Sequence, residues 1–150
     1  MKLADHLTPD LINLDLQSST KEDVIQELIA MLGVSEEHKR ILLEMVMQRE
    51  RLGSTGLGGS VAIPHGRSVI VDRLHVVCGL SQKGIFFRSV DKKKVYLFFL
   101  VIAPHREVSN QYLPLLGSIA RLASNPDNVE ALREAKTHQE FFQILARADV

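Results

Sequence analysis

Residues 95–103 read VYLFFLVIA, an apolar and aromatic run without a charge. It is far shorter than the ~20 residues that cross a bilayer, and its β-branched and aromatic content suits a strand buried on both faces. Asp91 and the lysines 92–94 precede it and Pro104 closes it, as turn residues do. The run is therefore expected at the centre of a sheet. Working outward, LHVVCGL (74–80) is a second strand, and QKGIFFRSVDKKK (82–94) between the two is expected to hold a short strand and a turn. LINLDL (11–16) alternates apolar and polar side chains, the pattern of a half-buried strand. SVAIP (60–64) is a short strand closed by Pro64.

The remaining segments carry helical spacing. SSTKEDVIQELIAMLG (18–33) buries Val24, Ile25, Leu28, Ile29 and Leu32 on one face. Ser19 or Thr20 caps it, Glu22 or Asp23 answers in a capping box, and Gly33 stops it. Ser35 caps a second helix, with Glu36 and Glu37 complementing its dipole, that ends at Gly53 and puts Arg49 in its last turn. NQYLPLLGSIARLAS (110–124) is helical if Pro114 falls in the first turn. Asn125 with Pro126 starts another helix, and Thr137 with Glu140 forms a capping box ahead of Phe141. Strands gathered mid-chain between helices imply one mixed sheet covered on both faces, an α/β fold in a single domain over residues 1–150.

Composition narrows the partners. Eighteen basic residues balance eighteen acidic ones, so neither nucleic acid nor an anionic membrane is the expected partner. A lone cysteine, Cys78, excludes an internal disulfide and reads as a small buried hydrophobe. The N-terminus lacks the apolar stretch of a signal peptide, and a cytoplasmic location is expected.

The chemistry concentrates in RERLGSTGLGGSVAIPHGR (49–67). Gly53, Gly56, Gly58 and Gly59 permit backbone conformations that turn N–H groups toward an anion. Ser54 and Thr55 add hydroxyl donors, and Arg49 and Arg67 add fixed charge, so the segment reads as a cradle for a phosphoryl group. It is not a P-loop, because it lacks the Gly-Lys-Ser/Thr ending and follows a helix. It has His65 instead. A neutral imidazole is a good nucleophile near pH 7, and no cofactor or metal is needed if the donor arrives phosphorylated. By themselves, a glycine-rich turn and a histidine at a strand end are also ordinary structural features.

The same run resembles the active-site signature of the IIA domains of the bacterial phosphoenolpyruvate-dependent sugar phosphotransferase system, in the fructose/mannitol/nitrogen-regulatory class. KGIFFRSVDKKKVYLFFLVIAP is similar to that family's hairpin and central strand, so the likeness covers nearly the whole chain. The resemblance implies a three-layer α/β/α fold. It implies that His65 takes a phosphoryl group from the phosphocarrier protein HPr or its nitrogen-branch homologue, as a tele-phosphohistidine. It further implies transfer to a cysteine of a IIB domain, with Arg49 contacting the phosphoryl oxygens. In the regulatory alternative, the phosphorylation state of His65 controls binding to target proteins.

One position departs from the pattern. Many members have a second active-site histidine where this chain has Tyr112, which donates a hydrogen bond but carries no positive charge. His105, a few residues upstream, is a substitute that could lean in from its loop. His6, His38 and His138 read as surface residues and His75 as a half-buried strand residue. A zinc site of His65, His75 and His105 matches no recognised ligand spacing. Lysines 92–94 read as a solvated turn, and Leu57, Val61 and Ile63 as a docking patch near His65.

Overall fold

The computed structural model describes residues 2–107 and 109–148. In chain order its strands are β1 (Ile12–Asn13), β2 (Gly56–Gly58), β3 (Val61–Ala62), β4 (His65–Ser68), β5 (His75–Ile85) and β6 (Val95–Pro104). The helices are α1 (Lys21–Ala30), α2 (Glu36–Leu52), α3 (Tyr112–Ala123), α4 (Pro126–Glu134) and α5 (His138–Ala148). All of β6 except Tyr96 is buried, and it is paired on both edges, which is why its sequence is apolar without alternation. Antiparallel β5 lies on one edge and parallel β1 lies beyond it. Parallel β3 and β4 share the other edge, and antiparallel β2 lies outside β3. The sheet is mixed, as expected.

β3 and β4 are one strand with a gap. Val61 faces Leu97 and His65 faces Val101, 36 residues apart in both cases, so the register survives the interruption. The gap falls at Pro64, which has no N–H to give the ladder. Its carbonyl still accepts the Val101 N–H at 3.0 Å.

Two strand expectations need correction, and one strand is added. In the glycine loop β2 folds back on β3, and Gly58 (φ +89°) and Gly59 (φ +62°) make the reversal in a region that side chains disfavour. LINLDL forms a strand over only two residues: the Asn13 carboxamide oxygen accepts the Asp15 N–H in a local turn, after which the Leu16 N–H rejoins β5 at the Leu80 carbonyl, 2.9 Å away. No separate strand occupies 82–94; β5 runs on to Ile85, with its register shifting between Leu80 and Ile85.

Helix starts follow their caps. Thr20, rather than Ser19, caps α1 by accepting the Asp23 N–H at 3.2 Å, and Gly33 (φ +72°) turns the chain after it. The Ser35 hydroxyl accepts the His38 N–H, and the Asn125 side chain accepts the Asp127 N–H. Thr137 accepts the Glu140 N–H, while the Glu140 carboxylate takes the Lys136 N–H instead of closing the reciprocal box. Pro114 lies in the first turn of α3, where its missing N–H breaks no helical bond.

The helices form two layers. Val24, Ile25, Leu28, Leu42 and Val46 of α1 and α2 pack with Ala62, Val77, Phe98 and Ile102 on one face. Leu115, Ile119, Leu132, Phe141 and Leu145 of α3–α5 pack with Val61, Ile63, Val76 and Val101 on the other. The result is the α/β/α sandwich. Cys78 is buried within it. Among the described residues, no helix is long and apolar enough to cross a membrane.

Candidate functional site

His65 opens β4, immediately after the proline gap. Side chains alternate along a strand, so His65 and Arg67 project to one side and Gly66 to the other. There Gly66 meets α2: a Cβ on it would lie 2.0 Å from Met45 Sδ. The absent side chain lets α2 rest on the backbone of β4, and this brings the last turn of α2, with Arg49, to His65. An open cleft of about 650 Å³ results, lined by Met45, Arg49, Leu52, His65, Arg67 and Tyr112 among others.

The imidazole is held by the main chain. His65 Nδ1 lies 2.7 Å from the Ile63 carbonyl oxygen, which has no hydrogen to give. Nδ1 must therefore carry the proton and donate, leaving a lone pair on Nε2. Burial pushes the His65 pKa below its ordinary value. The Ile63 carbonyl opposes that shift, the Arg49 charge adds to it and the Glu50 charge opposes it. The ring is half-buried and uncharged at neutral pH. This is the tautomer of a nucleophilic Nε2.

Arg49 is fixed by an Nη1 hydrogen bond to the Gly53 carbonyl at 2.8 Å, closing the C-terminal turn of α2. Its neighbour Glu50 escaped the sequence reading. The buried stripe of α2 is Leu42, Val46, Glu50, so a carboxylate ends an apolar face. It accepts from Lys21 Nζ at 2.8 Å, from the Thr55 N–H at 3.2 Å and from the Thr55 hydroxyl. Lys21 Nζ also sits 4.3 Å from the centre of the Phe87 ring. This cluster ties the start of α1, the end of α2 and the glycine loop together. The spacing of Leu42, Val46 and Glu50 was the available signal.

Not every residue expected at the cradle reaches it. The Ser54 hydroxyl donates to the Phe87 carbonyl at 2.7 Å, Thr55 is engaged by Glu50, and Gly56 packs on Ser89. None of the three lines the cleft. Their donors serve the hairpin, because a tight turn against a buried loop leaves them no open face. The docking patch also needs correction. Val61 and Ile63 are buried under α3–α5, and Leu52, 86% exposed, stands at the cleft instead. His105 does not line the cleft: four residues past Val101 on β6, it is about 13 Å along the sheet from the His65 pairing position. His75, on β5, pairs with Ile102 of β6, on the opposite edge of β6 from β4. Among the described residues no three His, Cys, Asp or Glu side chains converge as a metal site. Lysines 92–94 are exposed at a turn, His38 and His138 are exposed, and His6 is half-buried.

Tyr112 does reach the site. As the first residue of α3 it is buried, with its ring 6.2 Å from the His65 ring and inclined at 62°. Burial pushes its phenol up to about 12, against the opposing charges of Arg67 and Arg49. The Arg67 guanidinium lies 4.6 Å from the Tyr112 ring centre. Glu107 caps α3, accepting the N–H groups of Gln111 at 3.1 Å and Tyr112 at 2.9 Å. The Ser109 hydroxyl bonded to it, together with those N–H groups and the Arg67 charge, holds its carboxyl below the usual range.

The model of the family described as "Phosphoenolpyruvate-dependent sugar phosphotransferase system, EIIA 2" matches residues 5–148. The chain belongs to this EIIA family. A nitrogen regulatory protein of Bradyrhizobium diazoefficiens is 32% identical to it over 147 residues, covering 97% of this chain and 95% of the relative. A fructose-specific EIIA component of the phosphotransferase system from Haloferax volcanii is 29% identical over 143 residues, covering 93% and 92%. Among solved structures, the nitrogen regulatory protein IIA-Ntr from Neisseria meningitidis superposes with a TM-score of 0.87 at 28% identity, covering 95% of this chain and 98% of the other. The EIIA fold of these relatives is the mixed-sheet sandwich described above, and the family has both sugar-specific and nitrogen-regulatory members.

Proposed function

We propose that this EIIA protein is a phosphoryl carrier, accepting a phosphoryl group on Nε2 of His65 from the phosphohistidine of an HPr-type phosphocarrier and passing it to a cysteine of a IIB domain in sugar uptake. The observation that carries the reading is the Nδ1–H bond to the Ile63 carbonyl, which leaves Nε2 unprotonated in a cleft flanked by Arg49 and Arg67. In the first step the Nε2 lone pair attacks phosphorus. The donor N–P bond breaks and its electron pair returns to the donor imidazole. Nδ1 keeps its proton, and the Ile63 carbonyl stabilises the positive charge that the ring now shares. In the second step a thiolate attacks phosphorus and the electron pair returns to Nε2. No net proton moves at His65. Arg49 and Arg67 neutralise the equatorial oxygens, the main need of a loose phosphoryl-transfer transition state.

A second reading has a specific observation behind it. The nitrogen regulatory relative matches this chain nearly end to end, and Tyr112 supplies no titratable charge to the relay. In that reading the phosphoryl group is a signal: it brings about 1.5–2 negative charges to the cleft mouth beside Leu52 and changes which target protein docks there.

The test is incubation with labelled phosphoenolpyruvate, the first enzyme of the system and its phosphocarrier. We expect an acid-labile, base-stable phosphate that is absent from His65→Ala and slow to form in Arg49→Ala. A folded protein that stays unlabelled sinks both readings. Onward transfer to IIB cysteines separates uptake from regulation.

A further inference from the structure

Arg67 is exposed, and a free arginine on a strand samples many rotamers. Here its guanidinium has a platform, the Tyr112 ring at 4.6 Å. The platform is rigid. Tyr112 is buried in the α3–α5 layer, its N–H is held by the Glu107 carboxylate, and its ring contacts His65. A planar guanidinium stacked on a fixed aromatic face loses less freedom when it binds an anion than an unsupported one does. One side chain therefore touches both the acceptor ring and one of the two cations that flank it.

We propose that Tyr112 is a positioning residue whose ring holds the Arg67 guanidinium beside Nε2 of His65, so that a phosphoryl group there lies between two permanently charged guanidiniums, Arg67 and Arg49. This deepens the carrier reading and rests on it. The stack supplies what a charged side chain at position 112 would otherwise bring, without titrating. The charged and titratable groups facing the pair are Arg49 and Glu50 from α2, His65 on β4 and Glu107 from the loop before α3. Guanidinium stays charged throughout the working range, and the Glu107 carboxyl is held below its usual range. With His65 below its ordinary value, the acceptance step is expected to be flat in pH above about 7.

The test is single-turnover acceptance from an excess of phosphorylated phosphocarrier by wild type, Tyr112→Phe, Tyr112→Leu, Arg67→Ala and the Tyr112→Leu/Arg67→Ala double variant. Phe keeps the stack and should stay within about two-fold of wild type. Leu should slow acceptance about two- to five-fold, the weight of an exposed cation–π contact. The double variant should be no slower than Arg67→Ala alone. The Arg67 Nε–H resonance gives a readout independent of turnover: its ring-current shift should persist in Phe and vanish in Leu. Tyr112→His should introduce a pH dependence above about 7, where wild type is expected to be flat. Losses that simply add in the double variant, a Phe variant as slow as Leu, an unshifted Arg67 resonance or a pH-flat Tyr112→His would each overturn the proposal. A wild type that accepts nothing while its Arg67 resonance is shifted overturns the carrier reading itself.

Discussion

Glu50→Ala tests whether the cluster beneath the cleft is structural cement. The substitution removes the acceptor shared by Lys21 Nζ, the Thr55 N–H and the Thr55 hydroxyl. Thr55 is only 5% exposed, so its two donors gain no water in exchange, and each stranded donor costs about 1–3 kcal/mol. The Lys21 side chain is 19% exposed and can turn outward, so little is added for it. The two donors together cost about 2–6 kcal/mol, a span that includes the usual penalty for removing one member of a buried ion pair. For a domain of this size that lowers Tm by about 4–24 °C. Glu50→Gln keeps the shape and one acceptor and should lose about half as much. Urea and thermal unfolding followed by circular dichroism measure both, and Lys21→Met completes a double-mutant cycle with an expected coupling above about 1 kcal/mol. An alanine variant within about 0.5 kcal/mol of wild type, or strictly additive losses, refutes the reasoning.

Gly66→Ala should destabilise by about 1–3 kcal/mol, because Met45 Sδ must retreat by roughly 1.5–2 Å to restore an ordinary contact. Adding Met45→Ala should recover part of the urea midpoint, and a neutral single variant would show that α2 does not rest on β4. The His65 ring should titrate below its ordinary 6.5 in an NMR pH series. Since the unfolded chain then takes up its proton first, stability should fall as pH drops below 6.5 and level off once the folded ring titrates. His65→Ala should remove that portion of the decline; an unchanged pH–stability curve would contradict the shift. Cys78 is fully buried and its thiol is pushed well above its ordinary value, so native protein should resist a disulfide reagent at pH 8 until it unfolds. Labelling at the rate of a free thiol would disprove this.

The parts of the fold that were legible in sequence depend on short-range rules. Thr20, Ser35 and Asn125 cap helices through groups two or three residues away, and VYLFFLVIA announces a central strand by composition alone. Arg49 fell in the last turn of α2 because helix periodicity carried it there. What escaped depends on distant partners. The hydroxyls of Ser54 and Thr55 look identical in sequence whether they face a phosphate or face Phe87 and Glu50; the partners lie 33 and 5 residues away. Glu50 looked like one more surface charge on a helix until Lys21 came against it. β5 continues past Lys83 and Gly84 because Ile85 pairs again with Val95 of β6 after the register shift, a long-range contact that local composition does not announce.

The hydrogen bond from the His65 ring to the Ile63 carbonyl has a genetic consequence. An anchor made of peptide backbone has no codon of its own, so no exchange of a partner side chain can erase it. Selection is then free to redraw the rim of the cleft while Nδ1 stays tied to the main chain and Nε2 keeps its lone pair. Losing that orientation requires bending the chain itself, and the residue that most restricts such bending is Pro64, set between carbonyl and ring.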